Sequence, residues 1–307
     1  MSVDLRRAAN DYLDERRARG YQLTGHGRLI KKFFDSLETR GVTTITLCDA
    51  LAFAQEPANA SRRWHAWQLG VIRHVAAYVH SIDPTAAELI PPKMITPQVT
   101  RRIPYLYSSE QVALLMKLTA TLRPPHVAAT MRTLIGLLAA TGLRSGEAVA
   151  LNVSDLRVDE GVLHVLGKYA KPRVIPLHQT TVDALCAYLV LRADVAPSTD
   201  ALLVGRRGGR LDANAARGTF RALVDTAHLA NRPGGATPRL HDLCHVFAVN
   251  SLIDAYRRDG DVDATIAALV SYMGHVDPRS TYWYLSASPE LMTVVSERIA
   301  TYYGRLS

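Results

Sequence analysis

The sequence predicts a mostly α-helical protein with one small β-hairpin, arranged in two domains. Three observations carry this expectation. Apolar residues recur at helical spacing through most of the chain, and the runs are bounded by capping residues and glycines. One stretch, Val162 to Leu177, is rich in β-branched residues on either side of a turn. Between Asp83 and Pro104 the residues Pro84, Pro91, Pro92, Pro97 and Pro104 exclude a continuous helix and favour an extended connection. The expected division is a helical domain over 1–90, a proline-rich linker over 91–104 and a mixed domain over 105–307.

Leu5 to Arg19 contains no breaker before Gly20 and reads as a helix with a glycine stop. Arg28 to Leu37 puts Leu29, Ile30, Phe33, Phe34 and Leu37 on one stripe and ends before Gly41. Thr46 to Ala54 is a short third helix. Ser61 to Ser81 is the fourth, with Trp64, Trp67, Leu69, Val71, Ile72, Val75 and Tyr78 set among Arg62, Arg63 and Arg73. The result is a four-helix module with a basic face, and its aromatic residues, being at helical spacing, read as core rather than as base-stacking platforms.

The second domain opens on Ser108-x-x-Gln111, the pattern of a capping box. His126 to Thr141 is the most apolar helix of the chain and is closed by Gly142. A short helix from Ser145 to Leu151 follows the Thr-Gly-Leu-Arg turn directly. The hairpin strands Val162–Leu166 and Arg173–Leu177 then flank Gly167 to Pro172. A helix from Thr180 to Arg192 and a mobile basic loop, Gly205 to Arg210, come next. Pro238, at a first helical position behind Thr237 as N-cap, predicts the start of a further helix. On it His241, Cys244, His245, Ala248 and Leu252 share one face near the positive end. Val262 to Met273 is apolar and stops at Gly274-His275, and Ser288-Pro-Glu opens a last helix that runs to about Tyr303 before Gly304.

A charged fraction of 21% beside a hydrophobic fraction of 48% is that of an ordinary globular protein. No apolar run reaches membrane-spanning length and the first residues lack a signal-peptide core, so a cytoplasmic, nucleoid-associated protein with no membrane partner is expected. Cys48, Cys186 and Cys244 form no CxxC spacing and read as free thiols. Thirty-six Lys and Arg against 28 Asp and Glu give a net charge of +8. Most are arginines, spread along the whole chain, which makes nucleic acid the first partner to consider.

Several short motifs then fall into one order. Thr141-Gly-Leu-Arg-Ser-Gly-Glu147, the hairpin lysine in Leu166-Gly-Lys168, His241-Asp-Leu-Cys-His245, Met273-Gly-His275 and Tyr284 follow the order and spacing of the tyrosine recombinases. The chain resembles that family of phage integrases and Xer-type recombinases over essentially its whole length, and Tyr282-Trp-Tyr-Leu-Ser-Ala-Ser-Pro-Glu-Leu resembles its transposase-associated members. The resemblance implies an N-terminal helical core-binding domain and a mixed α/β catalytic domain that clamp duplex DNA. It implies a site-specific recombinase or transposase that uses no metal, nucleotide or other cofactor. Strand exchange in the family runs in a tetramer on two DNA sites, which implies a homo- or hetero-tetramer, with companion recombinases in the latter.

The residue roles implied are also chemically sensible. Breaking a phosphodiester without a metal requires a nucleophile, an acid for the leaving oxygen and fixed positive charge around the transition state. By the resemblance Tyr284 attacks to give a 3′-phosphotyrosine, with Tyr282 its rival. Arg144 forks two phosphate oxygens and Glu147 orients it. Lys168 protonates the leaving 5′-oxygen, with Lys171 a neighbouring decoy. His241 and His275 hydrogen-bond non-bridging oxygens or take the tyrosine proton, and His245 supports the fold. Arg62, Arg63, Arg73, Arg101 and Arg102 are the candidate DNA contacts.

Position 244 departs from the family pattern His-x-x-Arg-His. A thiol is neither a permanent cation nor a bidentate donor, so a second phosphate-binding arginine is missing. Arg239, Arg279 or an arginine of Gly205–Arg210 is a conceivable substitute. The alternative reading is a catalytically weakened or inactive DNA-binding partner with the recombinase fold. His241, Cys244 and His245 are also ligand-type residues, but adjacent helical positions diverge by about 100°, so no zinc site is expected here.

Overall fold

Asp4, Thr46 and Ser61 each turn a side-chain oxygen onto backbone N–H groups that open a helix. They begin three of the four helices of the first unit: α1 (Leu5–Ala18), α3 (Leu47–Ala54) and α4 (Arg62–Ile82). The remaining one, α2 (Thr24–Thr39), has no side-chain cap and starts four residues before the expected Arg28. Its start is carried by tertiary packing, since Leu29, Ile30, Phe33, Phe34 and Leu37 are all buried against Ile72, Val75 and Val79 of α4. The computed structural model describes residues 3–21, 23–97, 104–167, 171–229, 231, 237–258, 260–274 and 289–304. It divides into two compact units, residues 1–101 and 102–307.

One expectation for the first unit fails. Trp64 is not core: it remains 44% exposed and lies over Trp67 at a ring-centroid distance of 4.7 Å. Position explains this, because Trp64 sits in the first turn of α4, beyond the reach of the other helices' buried stripes.

In the second unit both halves of the predicted capping box form. Ser108 Oγ accepts from Gln111 N at 3.2 Å and Gln111 Oε1 accepts from Ser108 N at 3.1 Å, opening α5 (Ser109–Leu118). The central helix is α6 (Pro125–Thr141), which packs on α5, on α8 (Gln179–Ala193) and on α10 (Asp242–Arg257). It stops at Gly142, whose φ of +63° is left-handed and where a Cβ would come within 2.5 Å of Phe247 Cδ1. The short α7 (Ser145–Ala150) follows at once.

The hairpin becomes a three-stranded antiparallel sheet, in the order β1 (Leu156–Arg157), β2 (Val162–Leu166), β3 (Pro172–Pro176). The two-residue β1 is too short to show as a pattern. Leu163 pairs with Ile175 and Val165 with Arg173, so Leu163, Val165 and Ile175 are buried on one face and Arg173 shares it.

Three further differences concern the segments between the hairpin and α10. Gly205 to Arg210, expected as a mobile basic loop, is a hydrogen-bonded turn, with Gly205 N donating to Gly209 O and Leu211 N to Leu203 O. An unpredicted helix, α9 (Ala213–Thr226), is capped by Asp212 and buries Ala216, Phe220, Leu223 and Val224. Its signals were present, an N-cap aspartate and a 3.6-residue stripe, but Gly218 interrupts them. The next helix, α10, begins at Asp242 and not at Pro238. The Asp242 carboxylate accepts from Arg239 N at 2.9 Å and closes a turn ahead of the helix, with Asp242 N donating to Arg239 O. The chain continues through α11 (Val262–Tyr272) to α12 (Pro289–Gly304), which packs on α10 of the same chain with Leu291 buried. Among the described residues no helix is long and apolar enough to cross a membrane.

Candidate active site

The left-handed turn at Gly142 and the burial of Leu143 place Arg144 at the N-cap of α7. Glu147, three residues on, accepts from Arg144 N at 3.0 Å and from Arg144 Nη1 at 2.9 Å. Glu147 thus closes the helix start through the Arg144 backbone and pairs with its side chain, and the other terminal nitrogen of Arg144, Nη2, donates to Gly274 O at 3.2 Å. The carboxylate has a second partner that the motifs did not indicate. Arg173 Nη1 donates to Glu147 Oε1 at 3.1 Å and Arg173 Nη2 to Glu147 Oε2 at 2.8 Å.

This pairing changes the charge of the site. Arg144 and Glu147 alone sum to zero, whereas Arg144, Glu147 and Arg173 carry a net +1. Burial would raise the Glu147 carboxyl, but the hydrogen bonds from Arg173 and from the Arg144 backbone, with both guanidinium charges, hold it below its ordinary value. Gly167 lets Arg173 through: a Cβ there would lie 2.9 Å from Arg173 Nη1. The available signal was strand alternation, which puts Arg173 on the same inward face as Ile175 and so requires a buried anion opposite it.

The other half of the site is the start of α10. Tyr107 Oη donates to Arg239 O at 3.1 Å, and Arg239 Nη2 donates to the fully buried Asp242 at 2.7 Å. That ion pair commits Arg239. His241 is exposed at the N-cap position, while Cys244 is buried beside Ala248, Leu252 and Met273. The Cys244 thiol donates to His241 O at 2.9 Å. Burial pushes that thiol up to about 12 against the pull of the Arg144 charge. Surrounding atoms desolvate the His241 ring and lower its pKa, with Asp242 opposing them. The His241 and His245 rings meet edge to face at 5.1 Å.

The three side chains of this turn converge although adjacent helical positions diverge by about 100°. One ligand-type atom from each of His241, Cys244 and His245 lies within 4.8 Å of the others. Positions i, i+3 and i+4 are neighbours on a helix surface, whatever the angle between adjacent residues.

Of the remaining expected residues, Lys168, His275, Tyr284, its rival Tyr282, and Arg279, Arg101 and Arg102 lie outside the described residues. Gly274, whose carbonyl Arg144 holds, is the residue before His275 in the chain. Arg62 and Arg63 are exposed in the first turn of α4, with Arg62 Nε donating to Thr96 O at 2.9 Å, and Arg73 is half-buried three turns along. Arg210 is committed elsewhere, since its Nη1 donates to the carbonyls of Val149, Ala150 and Leu151 at the end of α7. A groove of about 680 Å³ between α5, α6 and α8 is lined by apolar residues such as Met116, Leu137 and Leu191 and holds none of the groups above.

Residues 106–290, most of the second unit, match the Phage integrase family. The chain belongs to this family of tyrosine recombinases. Similarity extends over the first unit as well. The chain is 35% identical over 304 residues to y4rB of Sinorhizobium fredii, which carries an integrase/recombinase name, covering 96% of each protein. It is 31% identical over 205 residues to the tyrosine recombinase XerC of Rhodospirillum centenum, covering 66% of this chain and 56% of that one. The structure of the Tn1549 transposon integrase in complex with transposon right-end DNA shares the fold at a TM-score of 0.63 and 18% identity, over 95% of this chain and 99% of that one. The matched range contains Arg144, Glu147, His241 and Cys244.

Proposed function

We propose that the chain is a site-specific DNA recombinase that cleaves and rejoins strands of duplex DNA through a 3′-phosphotyrosine intermediate. The observation that carries the reading is the Arg144–Glu147–Arg173 group, a fixed, hydrogen-bonded and net positive assembly in a chain that has the family's motif order. A phosphate in the transition state gains negative charge on its non-bridging oxygens, and preorganised guanidinium groups stabilise it without reorganising. Arg144 makes this contact, with its plane set by Glu147 and Gly274 O. His241, whose pKa is lowered by desolvation, donates one ring N–H to the same phosphate in this reading.

Tyr284 is the nucleophile in this reading, Lys168 the acid for the 5′-oxygen and His275 a further phosphate donor. Arg62, Arg63, Arg73, Arg101 and Arg102 contact the DNA backbone. Assembly is a homo- or hetero-tetramer on two DNA sites, and the likeness to a transposon integrase favours a mobile-element event. The second reading, a weakened or inactive partner, rests on Cys244, a buried neutral thiol where the family places a cation.

The test is a nicked duplex carrying the target site, on which a cleaved strand diffuses away and traps the adduct. Tyr284→Phe abolishes the covalent adduct and Tyr282→Phe retains it; the reverse reassigns the nucleophile. DNA binding with no adduct in any form of the protein establishes the inactive-partner reading.

A further inference from the structure

The first turn of α10 brings together three side chains that ligate soft and borderline metals. Cys244 Sγ lies 3.7 Å from His241 Nδ1 and 4.0 Å from His241 Nε2, and ligand atoms of His241, Cys244 and His245 fit within 4.8 Å. A tetrahedral zinc ion with Zn–S of ~2.3 Å and Zn–N of ~2.0–2.1 Å needs its ligand atoms roughly 3.3–3.6 Å apart. The thiol is near the required distance from the His241 ring, and because it lies almost equally far from both ring nitrogens, His241 must turn to aim one lone pair at the ion while the separations of up to 4.8 Å close to that range. We propose that His241, Cys244 and His245 form a three-ligand site for zinc whose fourth position is left to a solvent or phosphate oxygen.

The site deepens the recombinase reading and in part rests on it. One zinc ion, one thiolate and two neutral imidazoles carry a net +1, the charge of the arginine that position 244 lacks. The thiol proton leaves to solvent as the Sγ–Zn bond forms, so atoms and charge balance. The open position can take a non-bridging phosphate oxygen as a Lewis acid does. The helix N-terminus and Arg144 both oppose a cation here, which makes the site weaker than a closed structural zinc site.

Cobalt(II), which replaces zinc and absorbs when thiolate-bound, is the probe. The full chain, stripped with a chelator, is expected to take up one equivalent of cobalt with a thiolate-to-metal absorption band that zinc displaces. Cys244→Ser removes the band, His245→Gln weakens binding at least about tenfold, and the double variant Cys48→Ser/Cys186→Ser keeps it. Circular dichroism verifies that each variant is folded. Absence of the band at stoichiometric cobalt, or its survival in Cys244→Ser, overturns the site. In the trapping assay one equivalent of zinc accelerates adduct formation in the parent protein and not in Cys244→Ser; binding without acceleration overturns the charge role. Because the band requires no reaction, a total lack of adduct counts against the recombinase reading and leaves the metal site standing on its own measurement.

Discussion

Arg173 places two guanidinium nitrogens on the two oxygens of Glu147, at 3.1 and 2.8 Å, while Arg144 holds the same carboxylate from the other side. One half-buried anion thus aligns two arginines, and α7 and β3, distant in sequence, are tied at one point. Arg173 acts through Glu147 and is a positioning residue in this arrangement.

Arg173→Met is expected to slow adduct formation while leaving DNA affinity nearly unchanged, because the residue sets the Glu147 and Arg144 geometry and is mostly buried. Loss of its charge-assisted hydrogen bonds also costs about 1.5–3 kcal/mol of stability, read by denaturant unfolding. Arg173→Lys restores charge without the fork and recovers only part of the rate. Equal losses in rate and affinity would make Arg173 a direct DNA contact.

Cys244→Arg supplies the missing cation directly. Adduct formation is expected to rise on the order of 10²-fold, the scale of one preorganised donor. The longer side chain must leave the packing around Ala248 and Leu252, at a cost of about 1–3 kcal/mol. A rate that stays constant in the folded variant would show that another group already fills the role.

Gly142→Ala tests the turn that aims Arg144. A left-handed alanine costs about 1–2 kcal/mol, and its Cβ would meet the Phe247 ring at 2.5 Å, adding about 1–3 kcal/mol of overpacking. A lowered melting temperature with slower adduct formation is expected. Gly146→Ala, where a Cβ meets nothing within 4 Å, is the control and should be neutral or slightly stabilising.

Acid should unfold the protein partly through Glu147. Its folded pKa lies below the ordinary carboxylate value, so the unfolded chain binds more protons in the window between the two. Stability is fully present above the ordinary value and is lost as pH falls toward the folded one. Glu147→Gln should be less stable than the parent at pH 7, and the gap should narrow as pH drops through that window. A gap independent of pH would mean that the carboxylate's charge contributes nothing.

Binding to duplex DNA should weaken steeply with salt. With a net charge of +8 dominated by arginine, a protein making 6–10 phosphate contacts would lose about 10³–10⁵ in affinity between 50 and 200 mM salt. A flat salt dependence would contradict a phosphate-gripping surface.

Much of this protein was determined locally and could be read from the chain. The caps at Thr46, Ser61 and Ser108, the stop at Gly142 and the hairpin at Val162 act within a few residues. So does the placing of Arg144 three residues before Glu147. Helical periodicity likewise chose the core positions, because a stripe at 3.6 residues has one face to bury.

What only the tertiary structure decided lies where partners are far apart in sequence. Arg173 reaches Glu147 across 26 residues, Arg144 reaches Gly274 across 130, and Tyr107 reaches Arg239 across 132. No local rule encodes such pairs, since they follow from how α6, the sheet and α10 pack. The start of α10 differs for another reason: the Asp242 carboxylate holds Arg239 N three residues back, a local turn that displaces the helix start from Pro238. The same packing buried Cys244 and left His241 exposed.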